Sequence, residues 1–210
     1  MRVIESMIHG TTQIYGVIGD PISHSLSPSL QNPAFAALGI DAVYVTFRVA
    51  PSSLGDALRG LLALNVQGIN VTVPHKNEVF QYLDEVTDTA RKIGAVNTLR
   101  NDSGQWIGEN TDATGFIRSL EPLGLSLSDS SVGMLGAGGA ARGVAVGLLE
   151  AGVSQLFISN RSYERATLLA ELLKASFGQQ SVRAVSLEEL EKKELNLLVN
   201  TTTVGSDGHS

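Results

Sequence analysis

Short runs rich in Val, Ile and Leu alternate along this chain with longer stretches in which apolar residues return every three or four positions. The short runs predict strands near residues 14–18, 43–49, 68–73 and 95–99. The longer ones predict helices near 28–38, 52–64 and 76–83, with another starting near Asp112. Residues 122–131 are rich in Ser, Gly and Leu and carry turn signals, which marks a hinge or linker. Beyond it the pattern restarts as strand 132–135, helix 140–151, strand 155–159, helix 164–177 and strands 182–185 and 195–200. Strands alternating with helices build parallel sheets joined by right-handed crossovers. The fold class is therefore α/β, with two α/β domains at residues 1–115 and 116–210.

The strand expected at 132–135 runs straight into Gly136-Ala137-Gly138-Gly139-Ala140-Ala141, the G-x-G-x-x-A pattern placed between a strand and a helix. Gly136 permits a tight turn, Gly138 lets the backbone approach a pyrophosphate, and Ala141 lets the helix pack closely. The helix start at Gly139 and Ala140 presents unpaired N–H groups to an anion. The same glycines also suit a turn shaped by packing alone, but the second βα unit that follows favours a dinucleotide and a Rossmann-type doubly wound domain. At the end of the next strand, where an NAD-binding protein places an acid for the ribose, the chain reads Ser159-Asn160-Arg161-Ser162-Tyr163-Glu164-Arg165. The acid is missing. Arg161 and Arg165 can pair with a 2′-phosphate instead, which favours NADP; the alternative is two solvated arginines at a helix start.

In the first half, residues 68–73 alternate, so Asn70 and Thr72 take one strand face and Ile69, Val71 and Val73 the other. A buried parallel strand is more often apolar on both faces. Pro74-His75-Lys76 follows; proline can open a helix, which puts Lys76 in a first helical turn at the carboxyl end of a strand, where open α/β sheets hold ligands. A helix dipole lowers the pKa of an ammonium there and a carboxylate partner raises it, so the pattern leaves its protonation open. Asp112, in Asn110-Thr111-Asp112-Ala113-Thr114-Gly115, is the candidate partner, and a helix N-cap is its other reading. Residues 21–28 and 94–98 add hydroxyls and amides, which suit a polyhydroxylated ring because each pairs with a group otherwise desolvated alone. Ser25 and Ser27 can also hold a carboxylate. Taken singly, each such residue is a turn former, a cap or a satisfied core polar group, and His24 is read as structural.

Composition narrows the chemistry further. The chain has no cysteine and four scattered histidines, which exclude disulfides and thiolate nucleophiles and disfavour a metal centre, so redox chemistry calls for an organic cofactor. A net charge of −6 supplies no basic stripe for nucleic acid. No apolar stretch reaches bilayer length, and residues 1–10 mix Arg2, Glu5 and His9 among apolar positions, unlike a signal peptide; the expected location is the cytoplasm.

Four motifs together resemble the shikimate dehydrogenase family: Gly19-Asp20-Pro21-Ile22-Ser23-His24-Ser25-Leu26-Ser27-Pro28, Asn70-Val71-Thr72-Val73-Pro74-His75-Lys76, Gly94-Ala95-Val96-Asn97-Thr98 and Asn110-Thr111-Asp112-Ala113-Thr114-Gly115. The glycine loop and Asn160-Arg161-Ser162 match in the same order, so the resemblance spans nearly the whole chain. It implies an N-terminal substrate-binding domain with a mainly parallel sheet, a C-terminal NADP-binding domain, and reversible reduction of 3-dehydroshikimate to shikimate by NADPH, on the way to aromatic amino acids. It further implies that Lys76 is the acid–base group, that Lys76 and Asp112 flank the reacting ring oxygen, and that Asp112 is more than an N-cap. By the same resemblance Ser25 and Ser27 take the carboxylate, and Asn70, Thr72 and Asn97 help bind the ring. Gly136, Ala137, Gly138, Gly139, Ala140, Asn160, Arg161, Ser162 and Arg165 hold the cofactor, which Asp88 faces.

Gln31 stands where the family usually has a histidine and bears on helix packing. Related proteins continue beyond Ser210, through a segment that completes the nucleotide sheet, returns helices to the substrate domain and carries a tyrosine and a glutamine for the two pockets. The expected partner is a small-molecule substrate, without nucleic acid or membrane, for a monomer or homodimer. Two other readings stand beside this one. A quinate or quinate/shikimate dehydrogenase, which often prefers NAD, is disfavoured by the basic ribose segment. A non-catalytic nucleotide- or metabolite-binding protein is disfavoured by Lys76 and Asp112.

Overall fold

A computed structural model describes residues 8–178, 182–202 and 204; the readings made for residues 1–7 and 205–210 lie outside the described residues. The chain opens with strand β1 (Gln13–Gly19), helix α1 (Ser27–Leu38) and strand β2 (Ala42–Arg48). Pro28 starts α1 and Gly39, at φ +66°, ends it in the left-handed conformation that glycine adopts without strain. After a 3₁₀ turn at Pro51–Ser53, helix α2 (Leu54–Ala63) buries Leu54, Leu58 and Leu61, one stripe at helical spacing. Strand β3 (Gly68–Val71), strand β4 (Glu85–Val86), helix α3 (Asp88–Ile93), strand β5 (Thr98–Asp102) and strand β6 (Gln105–Glu109) follow. Helix α4 (Asp112–Leu120) leads to strand β7 (Ser131–Leu135), helix α5 (Gly139–Glu150), strand β8 (Gln155–Ser159) and helix α6 (Tyr163–Phe177). Strand β9 (Val182–Ala184), helix α7 (Leu187–Glu191) and strand β10 (Leu197–Asn200) complete the set.

The chain divides into two compact units. One holds the residues up to Ala90 together with Val96–Glu109, and the other holds Arg91–Ala95 and the residues from Asn110 onward. The first contains a sheet in the order β2-β1-β3-β5-β6-β4, parallel at β1·β2, β1·β3 and β4·β6 and antiparallel at β3·β5 and β5·β6. Its core gathers Ile18, Leu54, Leu58, Ile69, Val71, Leu99 and Trp106, whose indole N–H donates to Leu58 O at 3.1 Å. The second contains an all-parallel sheet in the order β10-β7-β8-β9, with Val132, Met134, Leu156 and Ile158 packed on Ala145, Leu148, Leu169 and Leu173. In that order the chain reverses its direction of travel at β7, and a doubly wound sheet opens a crevice at such a switch point. Among the described residues no helix is long and apolar enough to cross a membrane.

Three expectations are corrected. The strand expected at 68–73 ends at Val71, before the cis Val73–Pro74 peptide, and Val73 is 68% exposed instead of joining the apolar face. The helix expected at 76–83 is reduced to a 3₁₀ segment at Glu78–Tyr82. His75 explains this. Its ring is fully buried and its Nε2 lies 2.7 Å from Val49 O, while its backbone N–H donates to Thr72 O at 2.9 Å, so the chain folds inward as a turn just where a helix would begin. Lys76 therefore sits in a turn and not in the first turn of a helix. The strand expected at 95–99 is shifted to Thr98–Asp102 because it pairs with β6, a strand the apolar pattern did not reveal. Ser103 (φ 55°) and Gly104 (φ 86°) connect the two as a tight hairpin.

Candidate active site

In the first unit, a web of hydrogen bonds joins polar residues drawn from α1, β2, β3 and β5. Register places Asn70 of β3 opposite Thr98 of β5. Asn70 Nδ2 donates to Thr98 Oγ1 at 3.2 Å and to Asn97 O at 3.4 Å, and Thr98 Oγ1 donates to Asn97 Oδ1 at 2.9 Å. On the other side Tyr44 Oη donates to Asn70 Oδ1 at 2.6 Å. The backbone N–H of Ser27 donates to Ser25 Oγ at 3.3 Å. Burial pushes the Tyr44 pKa up to about 12, against a smaller opposing effect from the nearby Ser27 side chain, so the phenol stays protonated near neutrality. Thr72 follows β3, its N–H held by Ile18 O at 3.0 Å. Gly19 leaves the room it needs, since a Cβ there would lie 2.7 Å from Thr72 Cγ2. The half-buried Lys76 is fixed through its carbonyl, which accepts from Val96 N–H at 2.8 Å, one residue before Asn97. The structure thus joins Asn70 and Asn97 in one network with Tyr44 and Thr98, and bonds Ser27 to Ser25, with Thr72 and Lys76 held through their backbones. Tyr44 is a member that sequence reasoning missed.

In the second unit, Gly136 has φ +112° and a Cβ there would collide with Thr201 Oγ1, so the loop requires glycine. A Cβ at Gly138 or Gly139 would meet nothing within 4 Å; the loop presents open space beside the start of α5. No side chain caps that helix, which leaves its first N–H groups without a side-chain acceptor. Ala141 is fully buried, as close packing of the helix demands. A cavity of about 920 Å³ opens at the carboxyl ends of β7 and β8, lined in part by Gly136, Asn160, Arg161, Ser162 and Arg165. Asn160 Nδ2 donates to Ser162 O at 2.9 Å, which shapes the turn carrying Arg161. Ala137, Gly138, Gly139 and Ala140 form the neighbouring loop and helix start and do not line this cavity. Ser186, Asn200 and Thr202 are wall residues that the sequence reading did not name. Asp88 opens α3 in the first unit and is not in the cavity wall.

Asp112 belongs to the second unit and is the first residue of α4, with Thr111 as N-cap. Its N–H donates to Asn110 Oδ1 at 2.9 Å, while Asn110 Nδ2 donates to Ala95 O at 2.8 Å. Helix α4 lies directly on α5: a Cβ at Gly143 would be 2.8 Å from Asp112 Cβ, and one at Gly147 would be 2.9 Å from Ala113 O. The helix that carries the glycine loop therefore also seats Asp112. Gly143→Val is expected to lower the unfolding free energy by about 1–3 kcal/mol through overpacking of this contact. Denaturant unfolding checks this; an unchanged midpoint would show that α4 does not depend on it.

Residues 17–99 match the family model described as the shikimate dehydrogenase substrate binding domain, and residues 120–205 match that of shikimate / quinate 5-dehydrogenase. The shikimate dehydrogenase (NADP(+)) of Caldanaerobacter subterraneus subsp. tengcongensis is 46% identical over 199 residues, which span 94% of this chain and 71% of the relative. The chain belongs to the shikimate dehydrogenase family. Solved structures of the family agree. Shikimate dehydrogenase from Aquifex aeolicus superposes with a TM-score of 0.86 at 43% identity, covering 94% of this chain and 71% of the other. Shikimate 5-dehydrogenase from Listeria monocytogenes, in complex with shikimate and NAD, superposes with a TM-score of 0.90 at 35% identity, covering 96% and 72%. The resemblance drawn from the motifs and the α/β class are thus borne out.

Proposed function

We propose that this chain is an NADP-dependent shikimate dehydrogenase, reversibly reducing 3-dehydroshikimate to shikimate on the route to aromatic amino acids. One observation carries the reading: Tyr44 donates to Asn70, and Asn70 is tied to Asn97 both directly and through Thr98, which links two of the groups expected to bind substrate within the substrate-binding match. Five ring or carboxylate ligands of hydroxyl and amide type suit a substrate made of hydroxyls, a carbonyl and a carboxylate. Ser25 and Ser27 pair with the carboxylate, and Asn70, Thr72 and Asn97 with the ring oxygens.

The second unit fits NADP. Open space over Gly138 and Gly139 admits a pyrophosphate, and Arg161 and Arg165 stand at the cavity where an NAD-binding site has its acid. Asn160 and Ser162 shape the same rim, Gly136, Ala137, Gly139 and Ala140 form the phosphate loop, and Asp88 is the acidic residue that the family resemblance assigns to the cofactor. When bound, the nicotinamide supplies or accepts the hydride. Lys76 delivers a proton to the ring oxygen as the ketone is reduced and removes it in the reverse direction, while Asp112 orients and stabilises the ammonium. An acidic chain without cysteine suits the reducing cytoplasm, where the protein is proposed to act.

The test is isotopic. NADPH dideuterated at C4 is incubated with 3-dehydroshikimate and the product examined by NMR. The proposal expects shikimate with one deuterium on the carbon that had been the ketone. Binding of both ligands without label in the product would overturn it.

A further inference from the structure

Tyr44 occupies the middle of β2, is only 5% exposed, and packs its ring with Val17 and Ile22. Strand β1 lies between β2 and β3, so the phenol must cross over β1 to reach Asn70. The register permits this: Tyr15 faces Tyr44 and Val17 faces Asn70, and residues two apart on β1 share one sheet face. The tyrosine backbone is also fixed. Its N–H donates to Asn32 Oδ1 at 2.8 Å and its carbonyl accepts from Asn32 Nδ2 at 2.9 Å, and the same amide reaches Pro28 O at 3.0 Å. Asn32 therefore clamps β2 to the start of α1, the helix that begins with Ser27.

A phenylalanine would fill this apolar site without bringing a hydroxyl that burial makes costly to leave unpaired. The hydroxyl finds its partner in Asn70, to which it donates at 2.6 Å. By donating to Asn70 Oδ1 it fixes which end of that amide faces which way. Reversing the amide would turn its oxygen toward Asn97 O, an acceptor facing an acceptor, and would deprive the phenol of its own acceptor. We propose that Tyr44 is a substrate-positioning residue, whose hydroxyl sets the direction in which Asn70 presents its amide to shikimate. This rests on the reading that Asn70 binds shikimate. The role belongs to the ring contacts and leaves proton transfer at Lys76 untouched.

Tyr44→Phe keeps the ring and removes the hydroxyl. It is expected to raise the KM for shikimate by ~10-fold, the effect of about one hydrogen bond, with kcat and the KM for NADP altered by no more than about threefold. A residue serving packing alone would not split the constants in this way. In a double-mutant cycle with Asn70→Ala, the pair should raise KM by no more than about twofold beyond Asn70→Ala alone, because Tyr44 acts through Asn70. Effects that simply multiply, or a Tyr44→Phe KM within about twofold of the parent, would overturn the proposal. The two levels separate cleanly. If Asn70→Ala leaves the shikimate KM unchanged, the substrate role of Asn70 fails and the proposal falls with it; if Asn70→Ala raises KM and Tyr44→Phe does not, the positioning role alone fails. Should the phenylalanine variant not fold, 3-fluorotyrosine placed at position 44 retains the hydroxyl. Its ¹⁹F resonance should then shift on adding shikimate and not on adding NADP alone, and an unmoved resonance under saturating shikimate would overturn the proposal.

Discussion

Lys76→Ala is expected to reduce kcat for shikimate oxidation by ~10³-fold or more, with the KM for NADP changed by no more than about twofold. The residue sits in a turn held at both ends: Thr72 O accepts from His75 N–H at 2.9 Å, and Lys76 O accepts from Val96 N–H at 2.8 Å. These are backbone contacts, so truncating the side chain removes the proton carrier and leaves the turn in place. The dinucleotide features lie in the other unit, which is why cofactor affinity should survive. Arginine at this position preserves the charge but holds its proton too tightly to exchange it, so Lys76→Arg should not restore turnover. Stopped-flow absorbance of the reduced nicotinamide checks both variants. Turnover near that of the parent in Lys76→Ala would remove the lysine from the chemistry.

Replacing Arg161 and Arg165 together with alanine is expected to raise the KM for NADP by ~100-fold while changing kcat/KM with NAD by no more than about threefold. Hydrogen bonds to charged groups contribute about 1.5–3 kcal/mol each, and only the 2′-phosphate of NADP engages both side chains. Both arginines are exposed at the cavity rim, so their loss leaves no buried charge unpaired and the fold intact. Steady-state kinetics with each cofactor measures the outcome. Equal losses with NADP and NAD would mean that the arginines steady the helix start and do not read the phosphate.

How far the sequence carried depends on where the decisive interaction lies. The unit from β7 to β8 was legible because one local pattern constrains strand, turn and helix together: Gly136 needs its positive φ, Ala141 its close packing, and the apolar runs on either side need a parallel sheet. The turn at Lys76 was not legible. Val79, Phe80 and Leu83 fall at helical spacing, and what defeats the helix is burial of the His75 ring against Val49, a contact 26 residues away. Two elements did leave signals. Ser103-Gly104 between residues 98–102 and 105–109 is a hairpin signature, and Ser186-Leu187-Glu188-Glu189 is a capping box, realised by Glu189 N–H on Ser186 Oγ at 3.1 Å and Ser186 N–H on Glu189 Oε2 at 2.9 Å. Tyr44 left none, because a tyrosine within an apolar strand reads as core until the fold brings Asn70 within 2.6 Å of it.

The individual site residues were named from motifs, and the physical reason for those motifs is visible one unit at a time. Asn70 and Asn97 come from separate stretches of chain and are joined by strand order and by the Asn70–Thr98 register. Asp112 owes its seat to Gly143 and Gly147, two glycines whose spacing in α5 answers to the approach of α4 and not to the dinucleotide.

Initial rates of nicotinamide reduction, with shikimate or quinate crossed against NADP or NAD, test the central claim most directly. The account predicts turnover with shikimate and NADP well above the other three pairs. Quinate with NAD as the fastest pair would contradict both the substrate assignment and the role given to Arg161 and Arg165.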